Sequence, residues 1–526
     1  MKKLNYLKWL RVFLAAIIFI PIFLYFVDFR NYSPESWSHL LKIQLFPAIL
    51  AGSIGVLVFQ FILALLFGRL YCSVICPAGV FQDIINRIFC IGKKKKKGVR
   101  RFTYHKPNNV LRYSITGIVF VLALFGFLWL GMALDPYSNF GRIATNLFRP
   151  LAVWGNNFFA DILAKADNYT LFHVSVSTVT TAGLIAGIVA LLTFILMVVF
   201  RGRLFCNTLC PIGGLLSLIS RYSFFRIAIN KEKCISCGIC EQTCKAEAIN
   251  TQDFTVDTSR CVDCFNCVSS CKKGSINYTF KPFYKKEEKK TEESVLAYTA
   301  PEAVSNSRRS FLATGATVAA TLPVISTVAH AATGEAQKEK VNPITPPGSL
   351  SLDRFKDKCT GCHICVVQCP SQVLRPAGLQ FGLGYMLRPY VSYYDSYCNY
   401  ECTVCADVCP NDAILGIDVE QKVTTQVGIA EFFLERCIVE TENTDCGACS
   451  EHCPTQAVHM ELYKEGSTLT VPVVEPDLCI GCGGCESICP VRPDRAIVIK
   501  ANTVHQRVEK PAEEEAIEIQ IDDFGF

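Results

Sequence analysis

Cys234–Cys244, with the sequence CISCGICEQTC, recurs 27 positions later as Cys261–Cys271, with the sequence CVDCFNCVSSC. Both copies space their cysteines as C-x2-C-x2-C-x3-C. A four-iron cube has one open position on each iron, so cysteines two residues apart reach neighbouring irons while the fourth points toward a partner cube. The duplication predicts a two-cluster domain over residues 224–280. One cluster is then held by Cys234, Cys237, Cys240 and Cys271, and the other by Cys261, Cys264, Cys267 and Cys244.

Other uses of so many cysteines fit this spacing less well. The chain has 29 cysteines, and disulfide frameworks spread their cysteines rather than bunching them. Zinc sites use a pair-plus-pair spacing and would leave cysteines over. The bacterial cluster pattern has proline after the fourth cysteine, where this chain has Lys245 and Lys272. We expect these two positive charges to raise the reduction potential.

Four further cysteine groups lie in residues 350–500, and each ends in Cys-Pro. Longer steps inside the second and third groups indicate loops inserted between ligands that still converge. The 16 cysteines predict four more [4Fe–4S] clusters, which makes six in the whole chain. Group one is Cys359, Cys362, Cys365 and Cys369; group two is Cys398, Cys402, Cys405 and Cys409; group three is Cys437, Cys446, Cys449 and Cys453; group four is Cys479, Cys482, Cys485 and Cys489.

Four apolar stretches in residues 1–223 are long enough to span the hydrocarbon core of a bilayer. The chain is 51% hydrophobic and only 19% charged, which is too apolar for an ordinary soluble protein. Lys and Arg cluster at one side of these stretches. Both ends of this predicted four-helix unit should therefore face the cytoplasm. The net charge of +6 favours a membrane surface over nucleic acid as a partner. The stretches are Val12–Val27, Leu45–Phe67, Ile115–Leu134 and Ala182–Phe200.

A motif G-R-L-[YF]-C-x3-C-P follows the second and the fourth stretch, at residues 68–77 and 202–211. The membrane unit is therefore a duplicated hairpin. Cysteines four residues apart share one helix face, and the proline interrupts the backbone after them. A redox or metal site is the favoured interpretation, and inert packing thiols are the alternative; Cys90, outside every motif, is expected to be structural. The four thiols predicted to converge are Cys72, Cys76, Cys206 and Cys210.

A charged linker is predicted over residues 281–306, and Ser307–Leu312 (SRRSFL) then opens a Thr- and Ala-rich stretch. This pattern predicts a twin-arginine export signal within residues 307–349, and an ordinary linker is the alternative. Clusters are assembled in the cytoplasm, so a cluster domain bound for the other side must cross folded, which this export machinery permits. The segment is either cut after Ala331 or, as we expect, kept as a fifth anchor. Residues 501–526 are predicted to be an acidic tail, which is expected to be disordered over Pro511–Phe526.

Several cofactors find no support in the sequence. None of the eight histidines lies within the four apolar stretches, which argues against haem held by paired histidines between helices. The C-x2-C-H sequence at Cys359–His363 belongs to a cluster group, so we do not interpret it as a haem-attachment motif. There is no convincing Gly-rich nucleotide loop and no evident flavin domain. The chain is therefore predicted to relay electrons, with terminal substrate chemistry elsewhere.

The paired hairpins, the two C-x3-C-P motifs and the two-cluster block make residues 1–280 resemble the NapH-type membrane subunit of periplasmic nitrate-reductase systems. The SRRSFL signal and the four cysteine groups make residues 307–500 resemble the NapG/MauM-type ferredoxin subunit. A fusion of the two implies an α-helical membrane domain joined to α+β ferredoxin-like domains in the cytoplasmic (inner) membrane. It implies a quinol dehydrogenase that passes electrons from the quinone pool to a periplasmic reductase or small carrier. It also implies that group one exchanges fourth ligands with group four, and group two with group three.

Two alternatives stay open, because similar hairpin-plus-ferredoxin units occur in CcoG-type and NosR-type proteins. One is a membrane copper-ion reductase that uses the C-x3-C-P thiols, and the other is a redox-sensing or assembly protein. A distance also has to be bridged, since the first two clusters and the last four are predicted on opposite sides of roughly 30 Å of hydrocarbon. The C-x3-C-P thiols, the quinone pool or a partner subunit must bridge it. No quinone pocket is identified, and the Asp135–Thr181 connection, which is expected to be an irregular loop, is one place to look.

Overall fold

The computed structural model describes residues 5–91, 102–175, 179–280, 342–464 and 466–509. The predicted linker 281–306 lies outside these ranges, as do residues 307–341 of the predicted export signal and the tail from residue 510. The signal, its cleavage and the fifth anchor therefore stay predictions.

The first part of the chain, as far as Ser220, is helical. The helices are α1 (Asn5–Val27), α2 (Ser38–Lys42), α3 (Leu45–Ala51), α4 (Ile54–Phe67), α5 (Tyr71–Val74), α6 (Pro77–Ile91), α7 (Asn109–Leu124), α8 (Trp129–Leu134), α9 (Pro136–Ile143), α10 (Arg149–Ala164), α11 (Thr181–Arg201) and α12 (Pro211–Ser220).

Two of the four predicted spans, α1 and α11, are single helices long and apolar enough to cross a membrane. The other two stretches are broken within the described chain. Gly52 has a left-handed φ of 72° and ends α3 before α4 begins, and Gly126, with φ 79°, lies between α7 and α8. Glycine adopts this backbone conformation without a steric penalty. An apolar composition alone does not reveal such breaks.

The connection Asp135–Thr181, expected to be an irregular loop, is largely helical. Asp135 caps α9 by accepting a hydrogen bond from the Ser138 amide at 2.8 Å. All residues of α9 are buried, and the helix packs against α6 and α11. A π-helical turn, Ala144–Phe148, then leads into α10. The connection thus contributes a buried helix to the interior of the helical unit.

Residues 224–280 form a small α+β unit. β1 (Phe225–Ile229) pairs antiparallel with β4 (Ile276–Phe280), with Phe225 opposite Phe280. The second pair is β2 (Ile249–Asn250) with β3 (Thr255–Val256), and the short helices α13 (Ile239–Thr243) and α14 (Asn266–Ser270) pack on each other.

The described chain resumes at Asn342 and forms a larger α+β unit. β7 pairs antiparallel with β10, and the pairing still includes Gln506 and Arg507. The unit therefore extends past its predicted limit at residue 500, because the ladder continues into the segment predicted to be a tail. The elements are α15 (Leu352–Lys358), α16 (Ile364–Gln368), β5 (Leu374–Pro376), β6 (Pro389–Val391), α17 (Val404–Asp407), α18 (Val419–Val423), β7 (Thr425–Phe432), α19 (Ile438–Thr441), α20 (Ala448–Glu451), β8 (Val458–Leu462), β9 (Thr470–Val474), α21 (Gly484–Ile488) and β10 (Ile497–Arg507).

Candidate iron–sulfur centres

The four cysteine groups with regular C-x2-C-x2-C spacing share one loop conformation. In each, the residues just before and just after the second cysteine have a left-handed φ. Non-glycine residues in this region carry strain of about 1–3 kcal/mol each, which persists only where the surroundings require it. The same turn therefore wraps each set of three cysteines. The residue pairs are Ser236 and Gly238, Asp263 and Phe265, Gly361 and His363, and Gly481 and Gly483.

In the 224–280 unit, four thiols line one apolar cavity of about 330 Å³. They come from the second cysteine group and from the fourth cysteine of the first group. Burial raises the pKa of Cys244 to about 11, and the charge of Cys264 adds to the shift. Cys244 therefore lies where the spacing predicts the fourth ligand of this set, and its role as a ligand stays a prediction. The lining thiols are Cys244, Cys261, Cys264 and Cys267.

The other predicted set of this unit is partly assembled around Cys240. Burial raises the pKa of the Cys240 thiol to about 11, and the charges of Cys234 and Cys237 raise it further. Cys271 packs against the same small core as Cys240, and its sulfur lies 3.1 Å from the Ser275 hydroxyl. This set faces solvent more than the first, since Cys237 is exposed.

In the larger unit, group one takes its fourth thiol from group two. Burial raises the pKa of Cys365 well above its usual value, and the charges of Cys362, Cys359 and Cys409 add to the shift. Cys359, Cys362 and Cys365 thus all lie in electrostatic range of Cys409.

The reciprocal set completes this pair of groups. Burial also raises the pKa of Cys405, and the charges of Cys398, Cys369 and Cys402 contribute next. Groups one and two meet because their helices, α16 and α17, pack together.

Groups three and four form the second pair. One cavity of about 370 Å³ is lined by Cys437, Cys446 and Cys449 together with Cys489. The reciprocal thiols also lie close together. Burial raises the pKa of Cys485 well above its usual value, and the charges of Cys482, Cys479 and Cys453 raise it further.

The pairing implied by resemblance, one with four and two with three, is therefore wrong. The structure pairs group one with group two, and group three with group four. Packing of α20 on α21 produces the second pair in the same way as α16 on α17 produces the first.

These thiols suit a cube better than a single ion. Within the described ranges, no three His, Cys, Asp or Glu side chains converge as the ligands of one metal ion do. Two of the sets instead line apolar cavities, and thiolates spaced around a cavity match the separate irons of a [4Fe–4S] cluster.

The four thiols of the repeated motif are brought together at the junction of the two halves. Cys72, Cys76, Cys206 and Cys210 are all buried, and Cys210 lies in electrostatic contact with the other three. The Cys206 thiol donates a hydrogen bond to Gln82 Oε1 at 3.6 Å. The predicted convergence of these sulfurs agrees with the structure, while their role is not decided by it.

The arginines of the repeated motif cross between the halves. Arg69 Nη2 donates to the Cys206 carbonyl at 2.7 Å, and Arg203 Nη1 donates to the Cys72 carbonyl at 2.8 Å. Each guanidinium also lies 3.9 Å from the cysteine sulfur of its own half. Both arginines are fully buried.

The 224–280 unit docks against this junction. The Arg203 amide donates to the Lys245 carbonyl at 2.9 Å, and Arg69 Nη1 donates to the Ser259 carbonyl at 3.1 Å. Asp83 accepts from Lys245 Nζ at 2.5 Å and from Arg203 Nη2 at 2.6 Å, and it also pairs with Arg11.

Lys245 therefore acts differently from Lys272. Lys245 is buried and its charge is compensated by Asp83, whereas Lys272 is exposed. The expectation that both charges raise the reduction potential did not take the Asp83 carboxylate into account. For Lys245, the ion pair with Asp83 offsets the effect of the positive charge.

The larger unit docks on another face of the helical unit, through group one. Arg142 Nε donates to the Gly361 carbonyl at 3.0 Å and Arg142 Nη2 donates to the Thr360 carbonyl at 2.9 Å. Gln368 Nε2 donates to the Tyr25 carbonyl at 2.9 Å. Tyr25 lies near the end of α1, and Arg142 belongs to the buried helix α9, so the loop of group one sits directly over the helical interior.

Sequence reasoning missed Asp83, Gln82 and Arg142. The motif arginines carried a visible signal, because Arg69 and Arg203 recur at the same place in the two copies. No such repetition marks Gln82 and Asp83, because the second copy has Leu216 and Ser217 at the equivalent positions.

Comparisons with known proteins agree with this arrangement of cysteines. A family described as a 4Fe-4S binding domain matches residues 48–98 and 184–232, and each match contains one copy of the repeated motif. A second family of that description matches residues 227–250. A 4Fe-4S dicluster domain matches residues 358–438 and again residues 444–492. The first match contains groups one and two together with Cys437, and the second contains the other cysteines of group three and all of group four.

Individual relatives are ferredoxin-type proteins. The methylamine utilization ferredoxin-type protein MauM of Methylorubrum extorquens is 30% identical over 192 residues, which are 35% of this chain and 85% of the relative. The ferredoxin-type protein NapG of Escherichia coli is 31% identical over 153 residues, 28% of this chain and 65% of the relative. The ferredoxin-type protein NapF of the same organism is 28% identical over 151 residues, 28% of this chain and 82% of the relative. No solved structure matches the chain.

Proposed function

Because the chain belongs to the MauM family of ferredoxin-type proteins, which are iron–sulfur electron carriers, we propose that it is a membrane quinol dehydrogenase. Its substrate is membrane quinol, and its acceptor is a reductase or small electron carrier on the extracytoplasmic side. Bound [4Fe–4S] clusters supply one-electron oxidation and reduction. The proposed ligands are the 24 cysteines of the six groups, combined into six sites in the pairings described above.

The observation that carries this proposal is the docking of both iron–sulfur units on one helical unit. The 224–280 unit contacts the repeated motif through Lys245 and Ser259, and the larger unit contacts α9 through Thr360 and Gly361. A free carrier would need neither contact. Fixed docking of donor and acceptor domains favours transfer within one chain, because the partners do not have to meet by diffusion.

A membrane location is supported by the outer surface of the helices. α1 and α11 are long and apolar enough to cross a bilayer. Large apolar side chains point outward from them and from α4, as at Phe13 (61% exposed), Phe59 (55%) and Leu192 (52%). Such a continuous apolar surface is unfavourable in water and suits lipid. We propose four crossings, with the broken stretches as the second and third, and with residues 224–280 in the cytoplasm.

The extracytoplasmic location of the larger unit belongs to the same proposal. It rests on the SRRSFL segment, which lies outside the described residues, and on the charge pattern that places the repeated motifs in the cytoplasm. The likeness of residues 1–280 to a NapH-type subunit, and of the whole chain to a fusion, is likewise proposed.

The copper-ion reductase alternative fits the structure less well. The repeated-motif thiols are buried and covered by the docked 224–280 unit, so a soft metal ion in the cytoplasm has no open approach to them. Among the described residues, no preformed single-ion site is present.

The test uses the full chain in sealed membrane vesicles under nitrogen. Addition of a short-chain quinol should bleach the visible iron–sulfur absorption, and a quinone should restore it. Absence of any quinol-dependent bleaching, in protein that dithionite still reduces, would overturn the proposal. Oxidation by Cu²⁺ without any response to quinol would favour the copper-ion reductase.

A further inference from the structure

The repeated motif gathers four thiols that the six-cluster assignment does not use. Of the 29 cysteines, 24 belong to the six groups, which leaves five: the four motif cysteines and Cys90. The motif cysteines come in equal numbers from the two halves. Each of the four is under 5% exposed, and Cys76 lies in electrostatic contact with Cys72 and Cys206.

The surroundings of these sulfurs are built for negative charge. Arg69 donates to the neutral oxygens of Asn207, Ser259 and Cys206 and approaches the Cys72 sulfur. It also lies in electrostatic range of the buried Asp263 carboxyl. A buried guanidinium is costly unless negative charge lies near it, and a centre with four thiolate ligands adds such charge on the side of the sulfurs.

Two helices add to this environment. Each Cys-Pro step begins a helix, α6 at Pro77 and α12 at Pro211, so the second thiol of each motif sits at a helix N-terminus. The Gly213 amide donates to Cys210 Sγ at 3.2 Å. The partial positive charge of a helix N-terminus and amide hydrogen bonds both stabilise thiolates.

As free thiols, these cysteines would not use that environment. All four side chains are buried, and a buried thiolate that binds no metal is unfavourable. Metal binding replaces the protons and produces the thiolates that the arginines and helix ends favour. Disulfides would leave the two guanidiniums facing neutral sulfur.

Four thiolates in two equivalent pairs match the four open positions of a cube. The described residues hold no group of ligands converging on one ion, and a 4Fe-4S binding family matches each half of the helical unit separately. We propose that Cys72, Cys76, Cys206 and Cys210 together hold a seventh [4Fe–4S] cluster, shared between the two halves of the repeat.

The site lies between the two docked units. Toward the 224–280 unit, Arg69 reaches from Cys72 to the Ser259 carbonyl, two residues before the ligand Cys261. Toward the larger unit, the Tyr71 hydroxyl is in electrostatic range of Cys76 and Asp135, and Asp135 is in range of Cys362. The seventh site would thereby lie between the two clusters of the 224–280 unit and the four clusters of the larger unit. Its role as a step in electron transfer rests on the proposed function, whereas the binding of a cluster there does not.

Native mass spectrometry of the detergent-solubilised full chain, purified without oxygen, tests the site by counting clusters. The fully loaded wild-type species should carry seven clusters, or about 28 irons. Cys76→Ser and Cys210→Ser should each carry six, and Cys90→Ser, the matched control outside every motif, should carry seven.

The count is independent of quinol oxidation, so the two proposals can fail separately. A wild-type species that never exceeds six clusters would overturn the seventh site. A count of seven that survives Cys76→Ser and Cys210→Ser would also overturn it. If a variant does not accumulate, the wild-type count decides, because beyond the six groups only these four thiols are numerous enough to complete another cluster.

Discussion

The two halves of the helical unit share a motif 134 residues apart and differ at a few positions around it. Both keep the arginine, the two cysteines, the proline and the glycine that follows. The first half has Tyr71, Gln82 and Asp83 where the second has Phe205, Leu216 and Ser217. The shared residues build a symmetric thiol site, while the unshared ones contact different neighbours. Asp83 faces the docked 224–280 unit, and Tyr71 hydrogen-bonds within the first half.

This difference shows which residues are needed for the site and which for its surroundings. An unmodified duplication would place the same residues at equivalent positions of the two halves. Only one of the two equivalent positions meets Lys245, and only that one carries a carboxylate. The asymmetry of the docked unit thus explains the asymmetry of the repeat.

The largest expected effect comes from Asp83→Ala compared with Ser217→Ala. Removing the carboxylate leaves Arg203 and Lys245 buried without their common partner, and breaking a buried ion pair in this way costs about 3–5 kcal/mol. Ser217→Ala removes only hydroxyl hydrogen bonds and should cost about 1 kcal/mol. Hydrogen–deuterium exchange of residues 244–248 in the full chain measures the loss of docking. Equal exchange in the two variants would contradict the assignment of Asp83 to the interface.

The glycines of the repeat should show the symmetry itself. A Cβ on Gly79 would lie 2.1 Å from the Cys72 carbonyl oxygen, and a Cβ on Gly213 would lie 2.1 Å from that of Cys206. Gly79→Ala and Gly213→Ala should therefore destabilise equally, by about 1–3 kcal/mol each, as overpacking does. The control is Gly155→Ala in α10, where nothing lies within 4 Å.

Thermal unfolding followed by tryptophan fluorescence provides the measurement. A large fall for one glycine variant, with no change for the other, would mean that the two halves do not contribute alike to the thiol site.

A smaller effect is expected from Tyr71→Phe, which gives the first half the aromatic residue that the second half has at Phe205. The Tyr71 hydroxyl accepts from the Leu45 amide at 3.0 Å and donates to Gln44 Oε1 at 3.1 Å. Tyr71→Phe should cost about 1 kcal/mol, because these buried groups lose their partner. Exchange of the Leu45 amide measures the loss, and the seven-cluster count should not change, since the hydroxyl is not a ligand. Protection of Leu45 as in the wild type would show that the hydroxyl does not hold the start of α3.

Sequence patterns were sufficient to predict those features that depend only on residues close together in the chain. The C-x2-C-x2-C loops repeat one backbone conformation, so the spacing was enough to predict that Cys244 lies beside the thiols of Cys261, Cys264 and Cys267. Pairing in the larger unit depends on which helices pack together, and the insertions in groups two and three hide that relation. Gly52 broke a predicted span because one left-handed residue outweighs an apolar composition. The role of Asp83 could not be predicted, because its three cationic partners come from distant parts of the sequence and meet only in the folded chain.

The smallest effect should come from Lys272→Ala. Lys245 and Lys272 follow the fourth cysteines of the duplicated block, so the local sequence treats them alike. The structure separates them, because one pairs with Asp83 in the interface and the other faces solvent. An exposed substitution away from special features changes stability by no more than about 0.5 kcal/mol. Exchange at residues 244–248 should therefore be as slow as in the wild type, whereas Lys245→Ala should accelerate it. If Lys272→Ala released the unit as strongly as Lys245→Ala, docking would have to involve the opposite end of the duplicated block.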